Sequence, residues 1–106
     1  MVRIQAFIER HLGDPGLSPA MIAAAHHVSV RTLHNLYGPG EHTVSGWIRH
    51  RRLERCRQDL LNPELRDRPV GSIGTRWGFQ DAAVFSRVFR RAYGLPPGEY
   101  RAIYGR

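Results

Sequence analysis

One pattern of apolar residues occurs twice in this chain, and it restricts the folds that the chain can adopt. Each copy has the pattern of a short helix, a tight break and a second helix with an inward apolar face. The first copy consists of Ile22-Ala23, Val28, Leu33, Leu36 and Tyr37, and the second of Ile73-Gly74, Phe79, Phe85, Val88 and Phe89. This is the layout of a helix-turn-helix unit. The sequence therefore predicts two such units in one chain.

The rest of the chain is also patterned as helices rather than strands. No run of four or more residues alternates cleanly between apolar and polar types, so we expect an all-α fold of about seven helices. Residue types that begin helices precede the apolar stretches at Ser18-Pro19, Ser29, Thr43 and Asp81. Residue types that end helices follow them at Gly38-Pro39-Gly40, Asn62-Pro63 and Gly94.

The apolar positions of these helices predict the core and the organisation of the chain. A long helix from Thr43 to about Leu61 joins the two halves, and Cys56 is expected in its core face. We therefore divide the chain into an N-terminal helix-turn-helix subdomain (1–42), a linker helix (43–61) and a C-terminal helix-turn-helix subdomain (62–106). The other residues expected on inward faces include Val2, Ile4, Phe7, Ile8, Leu12, Met21, Ile22, Ala25, Val30, Leu33, Leu36, Tyr37, Val84, Phe85, Val88, Phe89 and Tyr93.

The charge of the chain is strongly positive and unevenly distributed. Sixteen basic residues, all of them arginine, stand against nine acidic ones, which gives a net charge of +7. Residues 1–42 are neutral, 43–61 carry +3 and 62–106 carry +4. A basic balance favours a polyanionic partner such as DNA. Non-specific or architectural DNA binding, or charge that only solvates the surface, remain as alternatives, and a basic amphipathic helix on a membrane surface is a remote one.

Several other classes of function have no support in the sequence. A single cysteine excludes an internal disulfide and a cysteine-based zinc site, and no histidine pair with helical spacing has a third ligand. No triad, carboxylate pair or phosphate loop stands out, so we expect neither an enzyme nor a cofactor. No apolar run approaches 18 residues and no signal peptide is visible, which indicates a cytoplasmic protein.

From Pro69 onward the sequence resembles the AraC/XylS family of bacterial transcription regulators. The stretches that carry the resemblance are Ile73 to Phe79, Phe85 to Arg91, Tyr93-Gly94, Pro97 and Glu99 to Arg101, with Trp47-Ile48 and Arg51 to Cys56 in the linker. The resemblance covers roughly residues 4–101 and implies a seven-helix domain whose two helix-turn-helix units read adjacent major grooves. The chain departs from the family pattern between Tyr37 and His42, which lacks Lys and Arg, and at Gly74, where alanine is frequent.

The outward positions of the second helix in each unit are the candidate DNA-reading residues. Arginine binds guanine bidentately, asparagine does the same with adenine, and a methyl group can touch the thymine methyl. The resemblance places Arg31, His34 and Asn35 at base-contacting positions. The full set of candidate base contacts is Arg31, Thr32, His34, Asn35, Ala82, Ala83, Ser86 and Arg87, and the candidate phosphate contacts are Ser29, Ser72, Arg49, Arg90 and Arg91. A solvated surface is the alternative at each of these positions.

The resemblance also implies partners. Double-stranded DNA is the main one, at the nucleoid, and contact with RNA polymerase is a further expectation. A domain that senses a small molecule would lie outside a chain of this length. A linker helix from Thr43 to Leu61 would span about 28 Å, close to the about 34 Å between successive major-groove faces.

Overall fold

The computed structural model describes residues 2–38 and 43–105, and these contain helices and turns but no strand. The all-α prediction is therefore confirmed, and the number of α-helices is seven. Pro39 and Gly40 of the stop signal expected after Tyr37 lie outside the described residues, as do Glu41 and His42 of the segment that departs from the family pattern. The helices are α1 (Val2–His11), α2 (Pro19–Ala25), α3 (Val30–Tyr37), α4 (Val44–Leu61), α5 (Val70–Arg76), α6 (Ala82–Tyr93) and α7 (Pro97–Tyr104), with a 3₁₀ turn at Pro63–Leu65.

The helices form two compact units that divide within α4. Unit 1 extends to Arg52 and unit 2 begins at Leu53. In unit 1, α2 packs against α1 and α3, and in unit 2, α6 packs against α5 and α7. The first half of α4 belongs to unit 1 and the second half to unit 2.

The core of unit 1 is made of aliphatic side chains. The residues with no exposed surface are Ile8, Leu12, Ile22, Leu33 and Val44. Arg52 closes this core at the end of α1, because its guanidinium donates to the carbonyl oxygens of Leu12 at 2.9 Å and Asp14 at 2.7 Å. The Leu12 carbonyl directly follows α1, where helix carbonyls lack partners inside the helix, and the Asp14 carbonyl also accepts from the Leu17 amide at 3.1 Å.

The core of unit 2 is aromatic and places α6 firmly. Phe85 and Phe89 are buried, with their rings 5.9 Å apart, and Tyr100 of α7 meets Phe89 edge-on at 5.4 Å. Cys56 is fully buried in this cluster, as the sequence predicted, and its thiol points to the carbonyl oxygen of Ile73 at 3.9 Å. Burying one face of α6 in this way leaves its other face exposed.

The duplicated sequence pattern corresponds to a duplicated turn. In unit 1 the amide of Val28 donates to the Ala23 carbonyl oxygen at 3.0 Å, and in unit 2 Phe79 donates to Gly74 at 2.9 Å. Each turn contains one residue with a left-handed backbone, namely His27 (φ 55°) and Gly78 (φ 93°). The two helix-turn-helix units are therefore alike in their local backbone as well as in their apolar pattern.

His27 is expected to cost unit 1 stability, since it is the only non-glycine residue with a positive φ in the described part of the chain. A left-handed conformation costs an L-residue about 1–2 kcal/mol, and glycine would avoid this cost. Part of the gain would be lost, because glycine has more conformational freedom in the unfolded state. His27→Gly should therefore raise the free energy of unfolding by about 0.5–1 kcal/mol in urea titrations. A lower stability would mean that the imidazole makes contacts that outweigh the backbone cost.

The structure corrects several of the expected inward positions. Val30 is 39% exposed, Leu36 47%, Val84 38% and Val2 81%, and Ala25 is exposed as well. The reason is geometric for α3: at 100° per residue, Val30 and Leu36 lie about 60° to either side of Leu33. A short helix packed mainly against one neighbour buries only the narrow row that contains Leu33.

Candidate nucleic-acid interface

Many arginines of this chain take part in holding the protein together. Arg51 binds Glu9 at 2.6 Å, Arg57 binds Glu54 at 3.0 Å and Arg76 binds Asp59 at 3.3 Å. Three others have structural contacts as well: Arg52 and Arg101 donate to backbone carbonyls, and Arg55 lies over the ring of Trp77. These side chains already have partners inside their own unit, which distinguishes them from the exposed arginines described below.

A polar network fastens α6 to the second half of α4. Tyr93 donates its hydroxyl hydrogen to Glu54, which also receives two hydrogen bonds from Arg57. Burial and the hydrogen bond to Glu54 raise the pKa of Tyr93, which favours the protonated hydroxyl. The hydrogen bond to Glu54 likewise raises the pKa of Arg57. The network thus fixes the C-terminal end of α6 within unit 2.

The outward face of α6 is basic. Arg87, Arg90 and Arg91 are exposed, and none of them forms an ion pair within residues 2–38 and 43–105. Ala82 and Ala83 are exposed in the first turn, and Ser86 is half-buried beside them. Asp81 caps the helix, as predicted, by accepting from the amides of Ala83 at 2.8 Å and Val84 at 3.0 Å. The structure therefore brings all the candidate residues of this helix onto one side of unit 2.

The outward face of α3 is polar and only weakly charged. Arg31, Thr32, His34 and Asn35 are all exposed, as predicted. Ser29 caps this helix by accepting from the Thr32 amide at 3.0 Å, and it donates its hydroxyl hydrogen to Thr32 Oγ1 at 2.9 Å. Because that hydrogen is already used, a phosphate at Ser29 would have to replace the bond to Thr32.

The two exposed faces differ at equivalent positions. When Leu33 is matched to Phe85, Arg31 corresponds to Ala83 and Asn35 to Arg87. The charged residue thus stands in the first turn of α3 but one turn later in α6. The two helices therefore expose different side chains to a ligand, although the turns that precede them have the same local backbone.

The remaining candidates lie on other elements of the two units. Arg49 is exposed on α4 and has no ion-pair partner in the described ranges. Ser72 is exposed on α5, where it lines an open groove together with Thr75, Arg76 and Gln80. Sequence reasoning missed this groove, and it also missed Val84, which it had assigned to the core. A count of 100° per residue from Phe85 would have placed Val84 at the edge of the exposed face.

The described residues contain no group that suits a metal, and none of their helices is long and apolar enough to cross a membrane. In the ranges 2–38 and 43–105, no three His, Cys, Asp or Glu side chains lie close enough together to hold an ion.

Comparisons with known proteins give a consistent result. A family model described as a helix-turn-helix domain matches residues 22–103. The chain is 37% identical over its full length to the transcriptional activator NphR of a Rhodococcus species, of which it spans 31%. It is also 32% identical to the regulatory protein SoxS of Escherichia coli strain K12, covering 91% of this chain and 87% of that protein. The chain therefore spans about a third of the first relative and most of the second.

A solved structure shares the fold. The crystal structure of a DNA-binding transcriptional dual regulator from Escherichia coli K-12 superposes with a TM-score of 0.83 at 22% identity. The match covers 96% of this chain and 94% of the other. At this identity the likeness shows the fold, and the type of domain is shown by the family model and the relative SoxS.

Proposed function

Because this chain belongs to the AraC/XylS type of helix-turn-helix DNA-binding domains, we propose that it binds double-stranded DNA sequence-specifically, with α3 and α6 in adjacent major grooves. The observation that carries the proposal is the second helix of each unit. Each is held by a buried apolar face and exposes hydrogen-bonding or charged side chains on the other. Such a helix is the reading element of this motif.

Each unit supplies its own base contacts in this proposal. Arg87 and Arg31 bind guanine, and Asn35 binds adenine, because these pairings are bidentate in the major groove. Thr32, His34 and Ser86 add single hydrogen bonds, while Ala82 and Ala83 contribute methyl groups. The phosphate contacts come from Arg49, Arg90, Arg91, Ser72 and Ser29, which position the protein without reading sequence.

The connection between the reading helices is α4. An 18-residue helix is about 27 Å long, and successive major-groove faces repeat at about 34 Å. We assign α4 the role of linker, so that one chain reads a site of two blocks without forming a dimer. By likeness to the activator NphR and the regulatory protein SoxS, the bound domain regulates transcription.

The proposal is tested by selection from a randomised duplex pool. We expect an enriched site of two blocks about one helical turn apart. Enrichment of no motif, with binding that is only salt-sensitive, would indicate a non-specific or architectural binder instead. No binding at low salt would contradict DNA binding by this domain altogether.

The salt dependence of binding should identify the phosphate contacts. Each neutralised phosphate contributes a slope of about −0.9 in log K against log salt. Arg90→Gln and Arg91→Gln should each make the slope less steep by about 0.9 while leaving the preferred sequence unchanged. Arg3→Gln is the matched control, since Arg3 is also exposed but lies on α1. An unchanged slope in the α6 variants would remove them from the phosphate contacts.

A further inference from the structure

The first turn of α6 is apolar and exposed. Ala82 and Ala83 are exposed, and Val84 is 38% exposed. None of these side chains can donate or accept a hydrogen bond. In α3 the positions equivalent to Ala83 and Val84 are Arg31 and Thr32, which are both polar. The two units thus differ at these two positions, although their turns and apolar patterns are alike.

Two backbone amides of this turn are already bound within the protein. The amides of Ala83 and Val84 already donate to the Asp81 carboxylate at 2.8 and 3.0 Å. That exposed carboxylate repels a phosphate, although helix N-termini ordinarily attract one. The side chains of the first turn and its amides at Ala83 and Val84 are therefore poorly suited to the DNA backbone, and the exposed side-chain surface of the turn consists of methyl groups.

We propose that unit 2 reads the C5-methyl group of thymine through Ala83 and Val84, next to a guanine bound by Arg87. The inference rests on the proposed function and specifies its target. The thymine methyl is the apolar feature of the major groove, so it is the group that an apolar turn can recognise. The flanking arginines Arg87, Arg90 and Arg91 have no ion-pair partner in the described ranges and match the charge of DNA.

The spacing of the two contacts fits neighbouring bases. Ala83 and Arg87 are four residues apart, which is about 6 Å along a helix and places them on the same side. Successive bases of one DNA strand are about 3.4 Å apart along the helix axis. The methyl contact and the guanine contact should therefore fall one or two base pairs apart.

The test uses the duplex obtained by selection and replaces each thymine in turn with deoxyuridine, which lacks only the methyl group. Loss of one buried methyl should weaken binding about fourfold. This penalty should appear at one or two positions, in the block of the site where an Arg87→Ala variant loses its base preference. Placing 5-methylcytosine instead of cytosine opposite guanine at the same position should strengthen binding by a similar factor. The methyl effect would then be independent of the hydrogen-bonding pattern of the base pair.

Variants of the turn assign the effect to these residues. In Val84→Ala and Ala83→Ser proteins the penalty for deoxyuridine should shrink or vanish, whereas a Val2→Ala protein, altered at an exposed valine on α1, should keep it. Equal affinity for thymine and deoxyuridine duplexes, or an undiminished penalty in both α6 variants, would overturn the inference and leave specific DNA binding intact. Failure of the selection to yield any site would overturn the proposed function and this inference together.

Discussion

Arg87→Ala is expected to weaken binding to the selected duplex by about 5- to 150-fold, the equivalent of about 1–3 kcal/mol. Arg87 lies at the centre of the exposed face of α6, opposite the buried Phe85 and Phe89. It has no carboxylate partner in the part of the chain that the structure describes, so its guanidinium is available for a base. The measurement is a competition titration against duplexes that differ at single base pairs.

The pattern of the loss matters as much as its size. Arg87→Ala should lose discrimination at one guanine in one block, and Arg31→Ala should lose it in the other block, because the two residues belong to different units. Arg3→Ala, which removes an exposed arginine from α1, controls for the change in net charge. If Arg87→Ala weakened binding equally to all duplexes, specific and random, Arg87 would be a phosphate contact instead.

Gly74→Ala is expected to lower the free energy of unfolding of unit 2 by about 1–3 kcal/mol. A Cβ atom at Gly74 would lie 2.5 Å from Cδ2 of Phe85 and 2.9 Å from two further atoms of that ring. The ring of Phe85 is 2% exposed and is held by Phe79 and Phe89, with ring centres 5.1 and 5.9 Å away. Since the ring has little room to move, the overlap outweighs the about 0.5–1 kcal/mol that alanine gains over glycine in a helix.

Gly71→Ala is the matched control, because it makes the same change in the same helix. A Cβ atom at Gly71 would meet nothing within 4 Å. This variant should therefore raise the stability by about 0.5–1 kcal/mol. The stabilities of both glycine variants are measured by urea unfolding in a Trp47→Phe background. In this background the fluorescence of Trp77 reports on unit 2. Equal stabilisation by the two substitutions would show that Phe85 can move aside.

The helices and their ends could be predicted from the sequence because the causes are local. Ser18, Ser29 and Asp81 cap helices by accepting amides two or three residues further along. The inward positions of Ile22 and Phe85 follow from the helical repeat in the same way. The same count places Arg31 and Arg87 on exposed faces, so helical periodicity identifies much of the candidate interface.

Other features were predicted incorrectly or not at all, because they depend on which helices meet. Val30, Leu36 and Val84 are apolar at roughly helical spacing, yet the neighbours of α3 and α6 cover only part of each face. The need for glycine at Gly74 but not at Gly71 likewise depends on where the ring of Phe85 lies. Periodicity identifies the side of a helix that can be buried. The width of the contact with neighbouring helices determines how much of that side is buried.

Sequence alone sufficed for the helices, their caps, the two copies of one motif and the positive charge of the second half. Each of these depends on residues a few positions apart or on composition. The tertiary structure was needed to distinguish arginines with partners inside the protein from exposed ones. Arg51 binds Glu9, which is 42 residues away in the sequence. Tyr93 binds Glu54 in the same way across 39 residues. An arginine has the same side chain in either setting. Its role depends on whether folding brings a carboxylate within reach, and only the packed helices determine that.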